Sequence, residues 1–399
     1  MAYVYDGFLN PEICNQFRKA VNESPTIPYE KGFAGLYNLS CAVMDRLDSA
    51  VKYLNNHWDY PQTEEDFLCF IMFACILNDG VNSIYEKTIG IIPKCNNEKK
   101  YFSKFCMGAP TYLPEEDCPT DEEFFEYFRA LSFAHPYQTN RNKTFKKLFG
   151  TQVSPWVVVN AHTVIPYDFP EPIGIRSYSS LEKDDSDIQD IMISFSTLKD
   201  FIVEKYSALN DVTLWIKDKA ESTYESWKKV KINRNQSNVE VLQDACRIMD
   251  DRHENIYDIE TMINYLETQI SDERNIEVVN QYKEYLISLI PDLCDCIDNL
   301  DSSGLNEQIR KAMSFNPTGM HKNASYQLEK IFTYLTEKSL KKPRVGSNEE
   351  WGIIQAKAFY NDFAKKWVYI DVYSMDYDEI KLLITVSLFM ECKEQNRLG

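Results

Sequence analysis

Residues 63–77 read TEEDFLCFIMFACIL and form the most apolar stretch of the chain. Thr63 followed by three acidic residues is typical of a helix N-terminus, because a threonine oxygen accepts a hydrogen bond from the backbone N–H three residues on. The apolar run from Phe67 to Leu77 is too short for a bilayer, which needs roughly 20 residues. The sequence therefore predicts a buried core helix that continues to about Glu86.

Helical patterns also precede and follow this stretch. Asn10 and Pro11 begin a predicted helix that runs to about Asn22, because proline is favoured in the first turn. Apolar residues recur at steps of three and four between Lys31 and His57, which predicts a long amphipathic helix. Acidic residues fill the first turn of a further predicted helix over Asp121–Ala134, where the helix dipole favours them.

The pattern changes after Gly150. Ser154–His162, SPWVVVNAH, and Pro172–Ser179, PIGIRSYS, are rich in β-branched and aromatic residues. These segments predict a two-stranded ribbon with room for a third short strand, and Trp156 and His162 either shape a cleft wall or pack in the core. From Asp185 onward, the apolar residues beginning with Ile188 predict a helix again.

The C-terminal part is predicted to be helical, apart from loops and turns. Trp215–Lys229 reads as an exposed helix, and Tyr369–Tyr373 is either a short strand or a tight connection. Further helices are predicted near Val239–Asp251, Tyr257–Ser271, Ile276–Asp298 with an interruption at Pro291, Ala324–Ser339, Glu349–Lys366 and Asp376–Cys392. Asp301–Gly304 reads as a break between elements.

Together these patterns predict a mainly α protein built of multi-helix bundle domains. An N-terminal helical domain covers residues 1–150, and a β ribbon and connector cover residues 151–182. A central helical region covers residues 183–315, and a C-terminal helical region covers residues 316–399. The length of 399 residues allows several cores of this size.

Composition limits the partners. The formal net charge is −18, so the molecule as a whole repels nucleic acid, and contact with RNA requires a local basic patch or a partner. No DNA-specific motif is present. The 25 Tyr, 22 Phe and 6 Trp fill helix interfaces or provide surface for a protein partner.

Motifs exclude several classes of enzyme. The sequence has no GxxxxGK[ST], GxGxxG, GxSxG or HExxH motif, which counts against nucleotide hydrolysis, α/β-hydrolase chemistry and zinc proteolysis. The eleven cysteines are scattered and include no CxxC pair, which predicts free thiols in a reducing cytoplasm. The N-terminus lacks the features of a signal peptide. We expect a cytoplasmic protein without a metal site, a cofactor or a membrane association.

The segment 124–147, FFEYFRALSFAHPYQTNRNKTFKK, combines acid/base groups with positive charge. Arg129 and His135 lie in an apolar helical pattern that ends at Pro136. A guanidinium and an imidazole on one short element can support phosphodiester chemistry, which a packing helix does not need. The downstream residues form a local basic cluster that is predicted to bind the phosphate of a substrate and includes Asn140, Arg141, Lys143, Lys146 and Lys147. Alternatively, this cluster is a solvated face next to acidic neighbours such as Glu122 and Glu123.

Arg129 to His135, RALSFAH, followed by Tyr137, resembles the arginine and histidine motif of the HEPN superfamily. The resemblance implies a helical, metal-independent endoribonuclease, such as a toxin or an abortive-infection effector of bacterial antiviral defence. It also implies a homodimer, in which two motifs share one cleft. His135 would then transfer a proton to or from the ribose 2′-hydroxyl or the 5′-oxygen, and Arg129 would stabilise charge on the phosphate of the RNA substrate. Tyr137 looks like the aromatic residue that follows the histidine in some of these toxins, and it is predicted to bind substrate.

Several observations leave an alternative open. Six residues on an ideal helix place two side chains roughly 120° apart, although Pro136 loosens the helix at His135. Arg129 can instead pair with Glu122, Glu123 or Glu126, while His135 caps the helix. A second match of the same spacing occurs at Arg247 and His253. The alternative is a noncatalytic helical scaffold that binds a partner protein.

Overall fold

The computed structural model describes residues 7–29, 31–108, 111–135, 137–139, 142–159, 169–179, 188–335 and 344–398. The predicted mainly α class is confirmed: helices account for most of these residues, and one small antiparallel sheet accompanies them. The chain divides into two compact units, one up to Thr223 and the other from Tyr224 onward. The predicted boundaries at residues 150, 182 and 315 stay predictions.

The first unit contains the candidate site, which lies on and next to the helices α5 and α6. The helices of this unit are α1 (Glu12–Asn22), α2 (Ala34–Asn56), α3 (Glu64–Ile89), α4 (Ser103–Met107), α5 (Asp121–Arg129), α6 (Lys143–Phe149), α7 (Phe195–Ser207) and α8 (Leu209–Trp227). A π-helical segment, Ala130–Ala134, follows α5 directly. The division between the units falls inside α8.

Local sequence explains where α3 and α5 begin. Thr63 and Thr120 each accept a hydrogen bond from the backbone N–H of the third helical residue. The acidic side chain at that third position, Asp66 or Glu123, bonds back to the backbone N–H of the threonine, so both helices begin with complete capping boxes. Each capping box contributes about 1 kcal/mol to its helix.

Helix α3 forms the centre of the first core. Its buried residues include Phe67 and Phe70, and the Phe70 ring lies 4.9 Å from that of Phe195 on α7. By length and composition α3 would also suffice to cross a membrane, but half of its apolar window is buried within the unit. Buried core helices share this length and composition.

Four antiparallel strands form the sheet in the order β1 (Gln138–Thr139), β2 (Gln152–Val158), β3 (Pro172–Ser179) and β4 (Ile188–Ser194). One face of the sheet packs on the helices of the first unit. The side chains on this face are buried and include Ile173, Ile175, Ile191 and Ile193. The two central strands match the predicted ribbon.

The predicted helix from Asp185 is wrong over Ile188–Ser194, which form β4, and Asp185 itself lies outside the described residues. Residues 188 to 194 bond to the backbone of β3 from Tyr178 to Pro172. Their apolar spacing fits a helix as well as a strand, and the neighbouring strand decides between them. The helix begins only at Phe195.

The second unit is formed by α9 (Asn238–Asp251), α10 (Tyr257–Glu267), α11 (Ile276–Asn299), α12 (Ser302–Met313), α13 (Ala324–Tyr334), α14 (Asn348–Asp362) and α15 (Tyr377–Glu394). Pro291 does not interrupt α11, which is a correction to the prediction. Leu289, Ile290 and Leu293 around it are buried, and this packing offsets the hydrogen bond that proline removes. The predicted break at Asp301–Gly304 is confined to the start of α12, which begins at Ser302.

Candidate functional site

The Arg129 and His135 element changes its helix type between the two residues. Helix α5 ends at Arg129, and the backbone N–H of His135 donates to the carbonyl oxygen of Ala130 at 2.9 Å, which is π-helical bonding. His135 itself has φ −135° and ψ 69°, outside the helical range. Pro136 lies outside the described residues. The expected loosening of the helix at His135 is present, and short π segments are frequent at functional sites.

The guanidinium of Arg129 lies between two carboxylates. Its Nη1 donates to Asp79 Oδ2 at 3.2 Å, and its Nη2 donates to Glu126 Oε2 at 2.6 Å. Burial on its own would lower the pKa of Arg129, but Glu126, Cys75 and Asp79 outweigh it and raise that pKa. Arg129 therefore links α5 to α3 as a cation, and its buried Nε has no partner among the described residues.

His135 has a different environment. The residue is half-buried, and its Nε2 atom is shielded from solvent without a hydrogen-bond partner in the described part of the chain. No hydrogen bond joins Arg129 and His135 in that part. Burying a polar nitrogen without a partner costs free energy, so such a group is a natural candidate for contact with a ligand.

Three of the predicted substrate-binding residues lie on α6. Asn142 Oδ1 accepts from the backbone N–H groups of Thr144 and Phe145 and so caps this helix. Phe145 stacks on Tyr127 with 4.2 Å between ring centroids and 9° between planes, which fastens α6 to α5. The side chains of Lys143, Lys146 and Lys147 are exposed, and none forms an ion pair within the described ranges.

Only some of the remaining predicted residues fall within the described ranges. Tyr137 is 83% exposed, just before β1. Asn140, Arg141 and His162 lie outside those ranges. Trp156 is half-buried on β2, with its ring 5.6 Å from that of Tyr178.

A cleft of ≈ 420 Å³ lies between α5 and α6. Glu122, Glu123, Glu126 and Lys143 are the charged residues in its lining. All three carboxylates already have partners: Glu123 bonds the backbone N–H of Thr120, Glu126 holds Arg129, and Glu122 bonds two asparagines and a lysine. The excess of negative charge disfavours a phosphate inside this cleft.

Sequence reasoning missed Lys205, whose side chain is 1% exposed. Its Nζ lies 3.0 Å from Glu122 Oε2, donates to Asn82 Oδ1 at 2.8 Å and also bonds Asn96. The sequence did indicate that Lys205 is buried. On α7 it follows Leu198 and Phe201 at the steps of three and four residues that place side chains on the apolar face of a helix. A lysine at such a position indicates a buried partner.

The second arginine and histidine match lies in the second unit. Arg247 is 60% exposed and pairs with Asp244 at 2.6 Å and Asp251 at 3.6 Å. His253 follows the end of α9 with φ 60°. Arg247 thus belongs to a solvated helix face, which makes this pair a useful control for the first.

All eleven cysteines are free. Over the described ranges, no group of three or more His, Cys, Asp or Glu residues is arranged to hold a metal ion.

Comparison with known proteins assigns no family to this arrangement. No protein-family model matches the chain, and neither the curated proteins nor the solved structures include a significant match.

Proposed function

We propose that the chain is a metal-independent endoribonuclease of the HEPN type, with His135 as the proton-transferring residue. The observation that carries the proposal is the shielded Nε2 of His135, which has no described partner and lies at the end of a π segment. The role of a toxin or abortive-infection effector in bacterial defence rests on the motif resemblance alone. The proposed cytoplasmic location rests on the scattered cysteines and the N-terminal sequence.

The chemistry requires a base and an acid. A neutral imidazole removes the proton from the ribose 2′-hydroxyl, and the resulting oxygen attacks the adjacent phosphorus. The bond to the 5′-oxygen breaks, and that oxygen takes a proton from an imidazolium, leaving a 2′,3′-cyclic phosphate. In a homodimer, two copies of His135 would supply one group each.

Arg129 supports this proposal as a donor. A guanidinium carries five N–H donors, and Asp79 and Glu126 use one each. One N–H remains on each of Nη1 and Nη2, whereas the Nε nitrogen is shielded from solvent. Arg129 would hold the phosphate and stabilise its developing negative charge, while the two carboxylates fix its orientation.

The lysines of α6 add local positive charge to a chain whose formal net charge is −18. Lys143, Lys146 and Lys147 are spaced so that they share one side of a helix, and Phe145 occupies the opposite, buried side. They would neutralise RNA phosphates close to the arginine and histidine element.

A second candidate is a noncatalytic interaction protein. It is favoured by the pairing of Arg129 with two carboxylates of its own chain, and by the three glutamates in the neighbouring cleft. In this case Arg129 serves only to join α3 and α5, and the acidic, aromatic surface binds a partner protein.

An RNA cleavage assay in the presence of EDTA separates the two candidates. We expect cleavage by the parent to be insensitive to EDTA and to fall by about 100-fold or more in His135→Ala. Arg129→Ala should also lose activity. The matched controls are Arg247→Ala and His253→Ala, which alter a pair of the same spacing and should cleave like the parent.

Circular dichroism of each variant establishes that it is folded, and light scattering establishes whether the parent is a dimer. Parent-like cleavage by folded His135→Ala would remove the catalytic assignment. Intact RNA with every folded variant, parent included, would leave the interaction protein as the better candidate.

A further inference from the structure

A cavity of ≈ 370 Å³ in the second unit is lined by positive charge. Its lining includes Arg310, Lys311 and Arg397, and it includes no carboxylate of the described residues. The cleft between α5 and α6 is the reverse, with three glutamates and one lysine in its lining. The cavity, called the basic cavity below, is therefore a local exception in a chain whose formal net charge is −18.

Two helix ends supply these cations. Arg310 and Lys311 lie in the last turn of α12, and Arg397 follows the C-terminal end of α15. The ring of Phe315, just after α12, lies 5.5 Å from that of Phe389 on α15. Both rings are buried in the core of the second unit. This packing holds the two helix ends side by side, so the fold brings the three cations to one cavity.

The helix ends do not need these cations as hydrogen-bond donors. The carbonyl oxygens of residues 310–312 accept from the backbone N–H of Ser314 and from the hydroxyls of Tyr285 and Tyr282. Those of residues 391–393 accept from the backbone N–H groups of residues 395–397. The helix dipoles attract cations to such ends. Yet both exposed guanidinium groups, of Arg310 and Arg397, keep their donors free of any partner among the described residues.

The charge of the basic cavity matches that of one phosphate group. Its three cations carry three positive charges, and Glu307 offsets one of them by pairing with Lys311 at 2.9 Å. The two that remain equal the charge of about −2 on a phosphate ester near neutral pH. A guanidinium also presents paired N–H donors whose spacing fits two phosphate oxygens. Ser314, Asn316 and Asn396 complete the polar lining, and their side chains offer further donors.

We propose that the basic cavity binds a small molecule through its phosphate group. Arg310 and Arg397 would hold the phosphate oxygens from the two helix ends, and Lys311 would add positive charge beside them. A phosphate group fills roughly the volume of two to three waters of ≈ 30 Å³ each, so the cavity has room for the organic part of a small phosphate monoester. The site lies wholly within the second unit, and the inference is independent of the proposed nuclease function, which uses none of these residues.

Isothermal titration calorimetry of the full chain tests the site with three probes: inorganic phosphate, adenosine 5′-monophosphate and adenosine. We expect the two phosphate-bearing probes to bind and adenosine not to bind, because the cavity recognises negative charge. Arg310→Gln and Arg397→Gln should each weaken the binding of adenosine 5′-monophosphate about tenfold. A loss of this size is expected when one hydrogen bond between charged partners is removed.

Arg247→Gln is the matched control, because Arg247 is an exposed helical arginine of the same unit that does not line the cavity. It should bind the probes like the parent. Glu307→Gln frees Lys311 from its ion pair and should strengthen binding about two- to fivefold. A purely structural role of this ion pair predicts no such gain. Near-ultraviolet circular dichroism establishes that each variant is folded.

Parent-like affinity in both folded arginine variants would overturn the site, and so would a parent that binds neither phosphate-bearing probe. Adenosine that binds as tightly as its monophosphate would also overturn it, since the phosphate would then contribute nothing. Inorganic phosphate that binds as tightly as the monoester would uphold the site and assign it to free phosphate. Tighter binding of the monoester would uphold it and assign it to an ester. None of these outcomes bears on the RNA cleavage assay, which tests His135.

Discussion

The ammonium of Lys205 lies 3.0 Å from Glu122 Oε2 inside the first unit, and the lysine side chain is almost completely shielded from solvent. Asn78 and Asn82 both donate to the other carboxylate oxygen at 2.8 Å. This buried ion pair connects α5 to α7, while the asparagines tie it to α3. It therefore fixes the helix that carries Arg129 relative to the core.

Lys205→Met should destabilise the first unit by about 3–5 kcal/mol, because it leaves Glu122 without its cation in a shielded place. The double variant Lys205→Met/Glu122→Gln should recover part of this loss, since no unpaired charge remains. Urea unfolding followed by near-ultraviolet circular dichroism measures both. Lys228→Met, which breaks the exposed pair with Glu225, is the control and should unfold like the parent. A single variant as stable as the parent would contradict a structural role for the pair.

Asp121 predicts a pH effect of definite sign. Burial raises its pKa above the ordinary 3.8, although the backbone N–H groups of Phe102, Lys100 and Tyr101 act in the opposite direction and Glu204 adds to the rise. The folded protein therefore binds this proton more tightly than the unfolded chain. Stability from this group is complete below pH 3.8 and declines as the pH rises through the folded pKa.

Asp121→Asn removes this titration. The parent should therefore exceed the variant in free energy of unfolding by more below pH 3.8 than at neutral pH. Asparagine also offers one acceptor oxygen to three N–H donors, so the variant should be less stable by about 1–3 kcal/mol where both are measured near neutrality. A difference that grows with pH would show that the folded pKa is lowered instead.

Gly174→Ala should disrupt the sheet of the first unit. A Cβ atom at Gly174 would lie 2.0 Å from the carbonyl oxygen of Ile191 and 2.6 Å from Met192 Sδ. Since the backbone of β4 must move, we expect a loss of about 1–3 kcal/mol or more in urea unfolding. Gly35→Ala is the control, because nothing lies within 4 Å of its Cβ position and alanine favours the α2 helix.

Asp79→Asn tests whether the carboxylates around Arg129 compete with phosphate. Asp79 is 58% exposed, so its removal frees one guanidinium donor without leaving a buried charge. Under the nuclease proposal, KM for RNA should fall about two- to fivefold while kcat is retained. A change of this size corresponds to the free energy that one exposed ion pair contributes. Asp244→Asn makes the same change beside Arg247 and should leave KM constant. An increase in KM for Asp79→Asn would mean that Asp79 positions Arg129 for RNA.

The cysteines should differ widely in reactivity. Burial raises the pKa of Cys14, Cys246 and Cys294 to about 11, and the thiolate is the form that reacts. Cys69 is exposed on α3. With N-ethylmaleimide under native conditions, mass spectrometry should find Cys69 modified first and these three protected until the protein unfolds. Early modification of Cys294 would indicate opening of the second core.

The candidate site was only partly predictable. Arg129, His135 and the lysines of α6 stand out in the sequence because of their residue types and spacing. The sequence could indicate that Arg129 pairs within α5, but it held no sign of Asp79, which is 50 positions away. Trp156 and Tyr178 come together through a bulge and a strand register that no local pattern encodes.

By itself, the sequence determined the mainly α class and where many helices begin. The capping boxes at Thr63, Thr120 and Ser237 involve only residues three positions apart, so neighbours along the chain suffice to specify them. Tertiary structure alone decided that Ile188–Ser194 form a strand, that Lys205 pairs with Glu122 and that Trp156 lies beside Tyr178. Each of these depends on partners distant in sequence, such as β3 for β4 and Glu122 for Lys205, and local preferences of the backbone are too weak to outweigh those contacts.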